Sequence, residues 1–211
     1  MERERCELAD VVGAWARGWA RARGVRPVEV RPGVWWARLD AESRREEYVL
    51  ASPSVADLAV LAAEHRADDR VWVTAMPPPA EVPSGLDVLA HAEALMSRPL
   101  DDVGAPFRPG LVAEHLHDDP SVVHVSYRVD DEQAARGVVS VIGEVAVFDK
   151  ILTEDAFRRQ GLGRDVMTAL TLEALSRGAT RALLVASPEG QALYGALGWS
   201  TVQPVHTFAP N

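Results

Sequence analysis

Lysine is almost missing from this chain. Of its 22 basic side chains only Lys150 is a lysine, and the rest are arginines. Together with abundant Ala, Val and Gly, this points to a GC-rich coding sequence and carries no mechanism. Cysteine is nearly absent too: Cys6 stands alone, which excludes an internal disulfide and predicts a reducing, cytoplasmic setting. No apolar run approaches the roughly 20 residues that a membrane-spanning helix needs. The charged start Met1–Arg5 has no apolar stretch behind it, so no signal peptide is expected. Positive charge is in deficit, with a formal net charge of -9. That argues against nucleic acid as a partner, since neutralising phosphates takes clustered Lys and Arg. It also suits a cationic substrate. Metal-ligand spacing is lacking as well. His115 and His117 alternate on a strand-like run, but no second spaced pair accompanies them, so no metal site is expected.

What is present suffices for a core, with hydrophobic residues at 47%. Leu8, Val11, Val12, Trp15 and Trp19 recur at helical spacing, which predicts a helix over residues 6 to 23 ending at Gly24. Strand-like runs follow at Val28–Val30, Val34–Ala37 and Tyr48–Ala51. A helix capped by Ser54 runs to about His65, and another strand covers Val71–Ala75. Trp15, Trp19, Trp35, Trp36 and Trp72 should build the core of this half. Leu86–Met96 reads as strand in its first part and helix in its second. Arg98–Gly110, with Pro99, Gly104, Pro106, Pro109 and Gly110, is the natural linker and sets a division into residues 1–104 and 105–211. Four strands then follow over Val112–His117, Val122–Val129, Gly137–Ile142 and Val145–Leu152. After them come a helix ended by Gly178, a buried strand at Ala182–Ala186, a short helix from Pro188 to Leu197, and a final strand pair. No repeat of fixed period is visible.

Chemistry concentrates where the fourth of those strands meets the next helix. Arg158-Arg159-Gln160-Gly161-Leu162-Gly163 follows a strand and opens a helix, the context in which unpaired N–H groups and the helix dipole hold an anion. Gly161 and Gly163 let the backbone approach without a Cβ. Arg158, Arg159 and Arg164 add positive charge around the same point. The loop fails the dinucleotide fingerprint, because Val166 stands where a third glycine belongs, and it lacks the Gly-Lys-Ser/Thr ending of a P-loop. A pyrophosphate fits what remains.

Arg158-x-x-Gly161-x-Gly163 resembles the Arg/Gln-x-x-Gly-x-Gly/Ala motif of the GCN5-related N-acetyltransferases (GNATs). Val147–Thr153 is similar to the strand that precedes the motif. Ala186–Trp199, with Leu193-Tyr194 and Leu197-Gly198-Trp199, resembles the family's second block. The similarity spans roughly residues 110 to 208. More loosely, the first half resembles the N-terminal portion of some actinobacterial GNAT proteins, either a degenerate GNAT-like segment or one that completes the acceptor site.

The resemblance implies an α/β (α+β) fold: a GNAT domain with a bent, mainly antiparallel sheet, preceded by a smaller α/β domain. It implies acetyl-CoA as co-substrate and direct attack by a primary amine of a small molecule or peptide, with no acyl-enzyme. Catalysis is then positioning plus proton transfer. Ile151, Leu152 and Thr153 would pair with the pantetheine arm. Arg158, Arg159, Gln160, Gly161, Leu162, Gly163 and Arg164 would bind the pyrophosphate, and Ser187 would contact the cofactor. Tyr194 would protonate the departing thiolate, since a phenol with a pKa of about 10 stays protonated. The proton acceptor stays open between Glu144, Asp149 and a water chain. Other open readings are an acyl-CoA-binding sensor without turnover, transfer of a longer acyl group or to oxygen, and an unrelated nucleotide-binding α/β protein. Acceptor identity and oligomeric state, a homodimer included, are also open.

Overall fold

A computed structural model describes residues 2–101, 109–115 and 119–211; side chains are described from Cys6 onward, except at positions 90, 91, 111, 114 and 115. The expected boundary near residue 104 lies outside the described residues, as does His117. Two compact units emerge. The first takes residues 1–96, 185–191 and 201–211, and the second takes residues 97–184 and 192–200.

In the first unit, α1 (Glu2–Arg21) buries Val12, Trp15, Ala16, Trp19 and Ala20 along one stripe. Trp15 and Trp19, one turn apart, stack with ring centroids 5.5 Å from each other. The helix begins earlier than its apolar spacing suggests, because Glu2–Arg5 continue it as a charged turn. Cys6 is exposed. The strands β1 (Val28–Arg31) and β2 (Val34–Arg38) form a hairpin turned at Gly33, whose φ is 76°. Next, β3 (Glu46–Ala51) runs antiparallel to β2. The helix α2 (Val55–Glu64) crosses over, and β4 (Val71–Met76) returns parallel to β3. The ambiguous stretch from Leu86 is one 14-residue strand, β5 (Leu86–Pro99), in which Ala92 has a φ of 59°.

The second unit holds β6 (Leu111–His115), β7 (Val122–Val129), β8 (Glu132–Ile142) and β9 (Val145–Thr153), each antiparallel to the one before. Asp130 and Asp131, both at positive φ, make the two-residue β7–β8 turn, the twist that tight hairpins favour. The helix α3 (Leu162–Ser176) crosses over, and β10 (Arg181–Ala186) returns parallel to β9. Then come α4 (Pro188–Ala196) and β11 (Ser200–Pro210). The expected final strand pair is thus one strand. β11 runs antiparallel to β4 and places Phe208 in the first unit's core beside Leu50, Leu58 and Val73.

The strand order is β1-β2-β3-β4-β11-β5 in the first unit and β10-β9-β8-β7-β6 in the second. Most pairings are antiparallel, as expected of the α/β fold. Two strands, a third, a crossover helix and a parallel return recur in the same order as β1-β2-β3-α2-β4 and as β7-β8-β9-α3-β10. The repeat lies in topology and not in sequence. Among the described residues, no helix is long and apolar enough to cross a membrane.

Candidate active site

Within the second unit, β9, α3 and the part of α4 from Ala192 onward meet where β9 ends. The β9–β10 register is short, running from Arg181↔Val145 to Leu183↔Val147. β9 itself continues to Thr153, paired on its other side with β8 as far as Ala135↔Thr153. Past Val147 the recorded pairing therefore lies on the β8 side. An extended amide-bearing ligand could add along the other edge. This stretch is also bulged. Arg136 pairs with Leu152 and Val138 with Asp149, so Lys150 and Ile151 together face Gly137. Lys150 takes a φ of 54°, an excursion that bulges absorb. Ile151, Leu152 and Thr153 are half-buried on this segment.

The chain then turns through a 3-10 turn at Asp155–Phe157 into α3. Arg159 and Gly161 sit at positive φ, 64° and 85°. Gly161 is the N-cap of α3, and no side chain caps this helix start. The N–H groups of its first turn are left to a ligand or water. Arg158, Arg159, Gln160 and Arg164 are exposed around it. Arg158 donates from Nε to the Thr153 carbonyl at 3.3 Å and pairs with Asp155 at 2.8 Å. With both partners largely exposed, that ion pair holds Arg158 weakly. The side chain of Leu162 is buried, so only its backbone can serve a ligand. A Cβ on Gly163 would lie 3.4 Å from Thr153 Oγ1 and 3.5 Å from a Leu193 methyl. The end of β9, the start of α3 and the face of α4 converge at that point.

Tyr194 follows Leu193 on α4 and is 8% exposed. Its carbonyl accepts the Leu197 and Trp199 N–H groups, and Gly198 at a φ of 83° closes the helix. Trp199 lies 6.0 Å from the Tyr194 ring, and Phe148 of β9 meets Trp199 edge-on at 5.4 Å. Burial, and then the nearby charge of Asp149, pushes the Tyr194 phenol up to about 12. It is a neutral donor throughout the physiological range.

Other residues named from the sequence are placed differently. Glu144 is exposed in the β8–β9 turn, where its carbonyl accepts the Thr180 and Arg181 N–H groups. At about 3.3 Å per residue, roughly 30 Å of strand separates it from Thr153. Ser187 is exposed and accepts the Gly190 N–H at 3.2 Å, acting as N-cap of α4 ahead of Pro188. Among the described residues, no three His, Cys, Asp or Glu side chains are grouped to hold a metal ion. The bulge and Gly137 were missed, although a lone glycine inside a strand-like run signals one or the other.

The corresponding place in the first unit is built differently. The β3–β4 register runs through six pairs, from Glu46↔Val71 to Ala51↔Met76, with no opening. The link from β3 to α2 is Ser52-Pro53-Ser54, without glycine. Ser54 and Asp57 form a reciprocal capping box, with Asp57 Oδ2 accepting the Ser54 N–H at 2.8 Å. A carboxylate thus already occupies that helix start.

The profile of the acetyltransferase (GNAT) family matches residues 91–199, over half of the chain. No curated protein sequence matches. Among solved structures, the chain is similar to a GCN5-related N-acetyltransferase from Kribbella flavida, with a TM-score of 0.66 at 19% identity over 96% of this chain and 95% of that one. It is similar to a GNAT-family acetyltransferase from Novosphingobium aromaticivorans, with a TM-score of 0.64 at 19% identity over 95% and 96%. A tandem GNAT protein from the clavulanic acid biosynthesis pathway aligns with a TM-score of 0.55 at 14% identity over 84% and 79%. At these identities the structural likeness establishes the fold, and together with the profile match it places this chain in the GNAT acetyltransferase family.

Proposed function

We propose that this protein transfers an acetyl group from acetyl-CoA to the primary amine of a small molecule or peptide by direct attack on the thioester. The observation that carries the reading is the three-pair β9–β10 register, which leaves β9 an edge past Val147 beside a glycine-started helix. Pantetheine amides would pair with Ile151–Thr153. The pyrophosphate would sit on the α3 start, with Arg158, Arg159 and Arg164 around it. In the transfer the amine nitrogen forms the C–N bond and the C–S bond breaks. The surplus amine proton passes to Asp149 or water. Asp149 is close enough for its charge to act on Tyr194.

The raised phenol bears on the role proposed for Tyr194. A thiol titrates near 8.5, so full proton transfer from a phenol at about 12 is uphill by about 3.5 units, close to 5 kcal/mol. Tyr194 therefore serves as a hydrogen-bond donor to the sulfur as it leaves, and the thiolate takes its proton from solvent. The net charge of -9 favours a cationic acceptor. A lone thiol suits a cytoplasmic setting.

The N-terminal array reads as a degenerate copy of the same fold with no donor site. Its closed β3–β4 pair and self-capped α2 support this reading.

The test is thiol release from acetyl-CoA across a broad panel of amines, with acetylated product confirmed by mass. CoA binding without thiol release on any amine would overturn the transfer while leaving the donor site standing.

A further inference from the structure

We infer that Gly137 is a positioning residue for the donor site, holding the β9 bulge and the α3 start in register with each other. The inference rests on the proposed reading of β9 and α3 as that site. Lys150 and Ile151 of the bulge face Gly137 across the β8–β9 pair. A Cβ built on Gly137 would lie 2.6 Å from Ile151 Cδ1, 2.8 Å from Leu170 Cδ1 and 2.9 Å from Val166 Cγ1. One of these atoms alone could swing aside. Three converging ones cannot, because Val166 and Leu170 are fully buried and a β-branched valine in a helix has essentially one rotamer. Val166 and Leu170 stand four residues apart, on the stripe that α3 lays over this point. Ile151 thus fills the space that any other residue at 137 would take. Adding a methyl there must lift α3, flatten the bulge, or both. Either movement separates the backbone that would receive the pantetheine arm from the helix start that would receive the pyrophosphate.

The experiment measures CoA affinity by calorimetry, acetyl-CoA KM and kcat, and Tm. Gly13→Ala serves as the control: its Cβ would meet the rigid Trp35 ring at 2.5 Å in the first unit, a comparable steric insult away from the donor site. Gly137→Ala should weaken CoA binding by about tenfold or more and raise KM in step, with kcat at saturation within about threefold. Gly13→Ala should lose a similar amount of Tm while its CoA affinity stays within about twofold. Trimming the nearest contact in Gly137→Ala/Ile151→Val should recover at least about threefold of the lost affinity. If Gly137→Ala does not fold, Ile151→Ala probes the same contact without crowding, and its CoA affinity should fall by about fivefold or more. Wild-type CoA affinity in the folded Gly137→Ala or in Ile151→Ala, or an equal loss in Gly13→Ala, overturns the inference. A parent protein that binds CoA but transfers nothing leaves it intact and counts against the proposed activity alone.

Discussion

Replacing Tyr194 with phenylalanine isolates one oxygen. The ring stays 6.0 Å from Trp199, and the packing of α4 on Phe148 and Trp199 is kept. On the proposed reading, what is lost is a hydrogen-bond donor to the departing sulfur. Removing one such donor from an enclosed site typically costs about a hundred- to a thousand-fold in kcat, ~3–4 kcal/mol. KM for acetyl-CoA should barely move, since the contact forms as the sulfur leaves. The pH dependence adds a second arm. The folded phenol sits near 12 against an ordinary value of about 10. The native state therefore holds this proton more tightly than the unfolded chain. Its contribution to stability is complete below pH 10 and is lost as the pH climbs from 10 to 12, roughly 2–3 kcal/mol in all. Urea midpoints measured across that range should fall more steeply for the parent than for Tyr194→Phe. Between pH 7 and 9 both should show the same acid limb, set by the amine and its proton acceptor. A phenylalanine variant that turns over within about threefold of the parent would refute the role given to Tyr194.

Gly161→Ala meets no neighbouring atom, so its effect is confined to a backbone held at a φ of 85°. The strain of roughly 1–2 kcal/mol should appear as a lower Tm and as weaker CoA binding by calorimetry. Arg158→Ala should leave Tm unchanged, because its ion pair with Asp155 is exposed, while CoA affinity falls and depends less on salt. Titration of the intact chain with CoA should saturate at about one per chain, since among the described residues the uncapped helix start beside a short parallel pair lies in the second unit. A second equivalent bound would place a donor site in the first unit.

Much of the second unit could be read in advance because its signals are local. The turns, the apolar stripe of α3 and the glycine loop each depend on neighbours a few residues away. The bulge was half readable: Gly137 in a strand-like run is a local sign of one, but the two residues it faces lie further along the chain, and no local pattern states a register. Leu86–Met96 misled for a related reason. Ala92 leaves the strand conformation at a φ of 59°, and the Gln191 side chain donates to its carbonyl at 2.6 Å from 99 residues away. A residue off the strand conformation shifts the inward–outward alternation that would mark one continuous strand. Glu144 and Asp149 looked equivalent on one predicted strand. In three dimensions one ends in a hairpin turn and the other lies beside Tyr194.

The same order of elements is built twice in this chain, and on the proposed reading the two versions differ in what a donor site would use. A helix crossover with a parallel return is not enough, since β3-α2-β4 has both. In the first unit the parallel pair stays zipped through six positions, and the helix start is satisfied by its own Ser54 and Asp57. The paired edge of β3 and the Ser54 and Asp57 N–H groups there already have internal partners. In the second unit the parallel pairing covers three positions, β9 carries a bulge opposite Gly137, and the helix opens on a glycine with no side-chain cap. A strand edge and a helix start of this kind take their remaining bonds from a ligand or water. On the proposed reading, the donor site would use backbone bonds that this unit does not make with itself. A side chain would crowd its supports at Gly137 and Gly163 and would strain its backbone at Gly161.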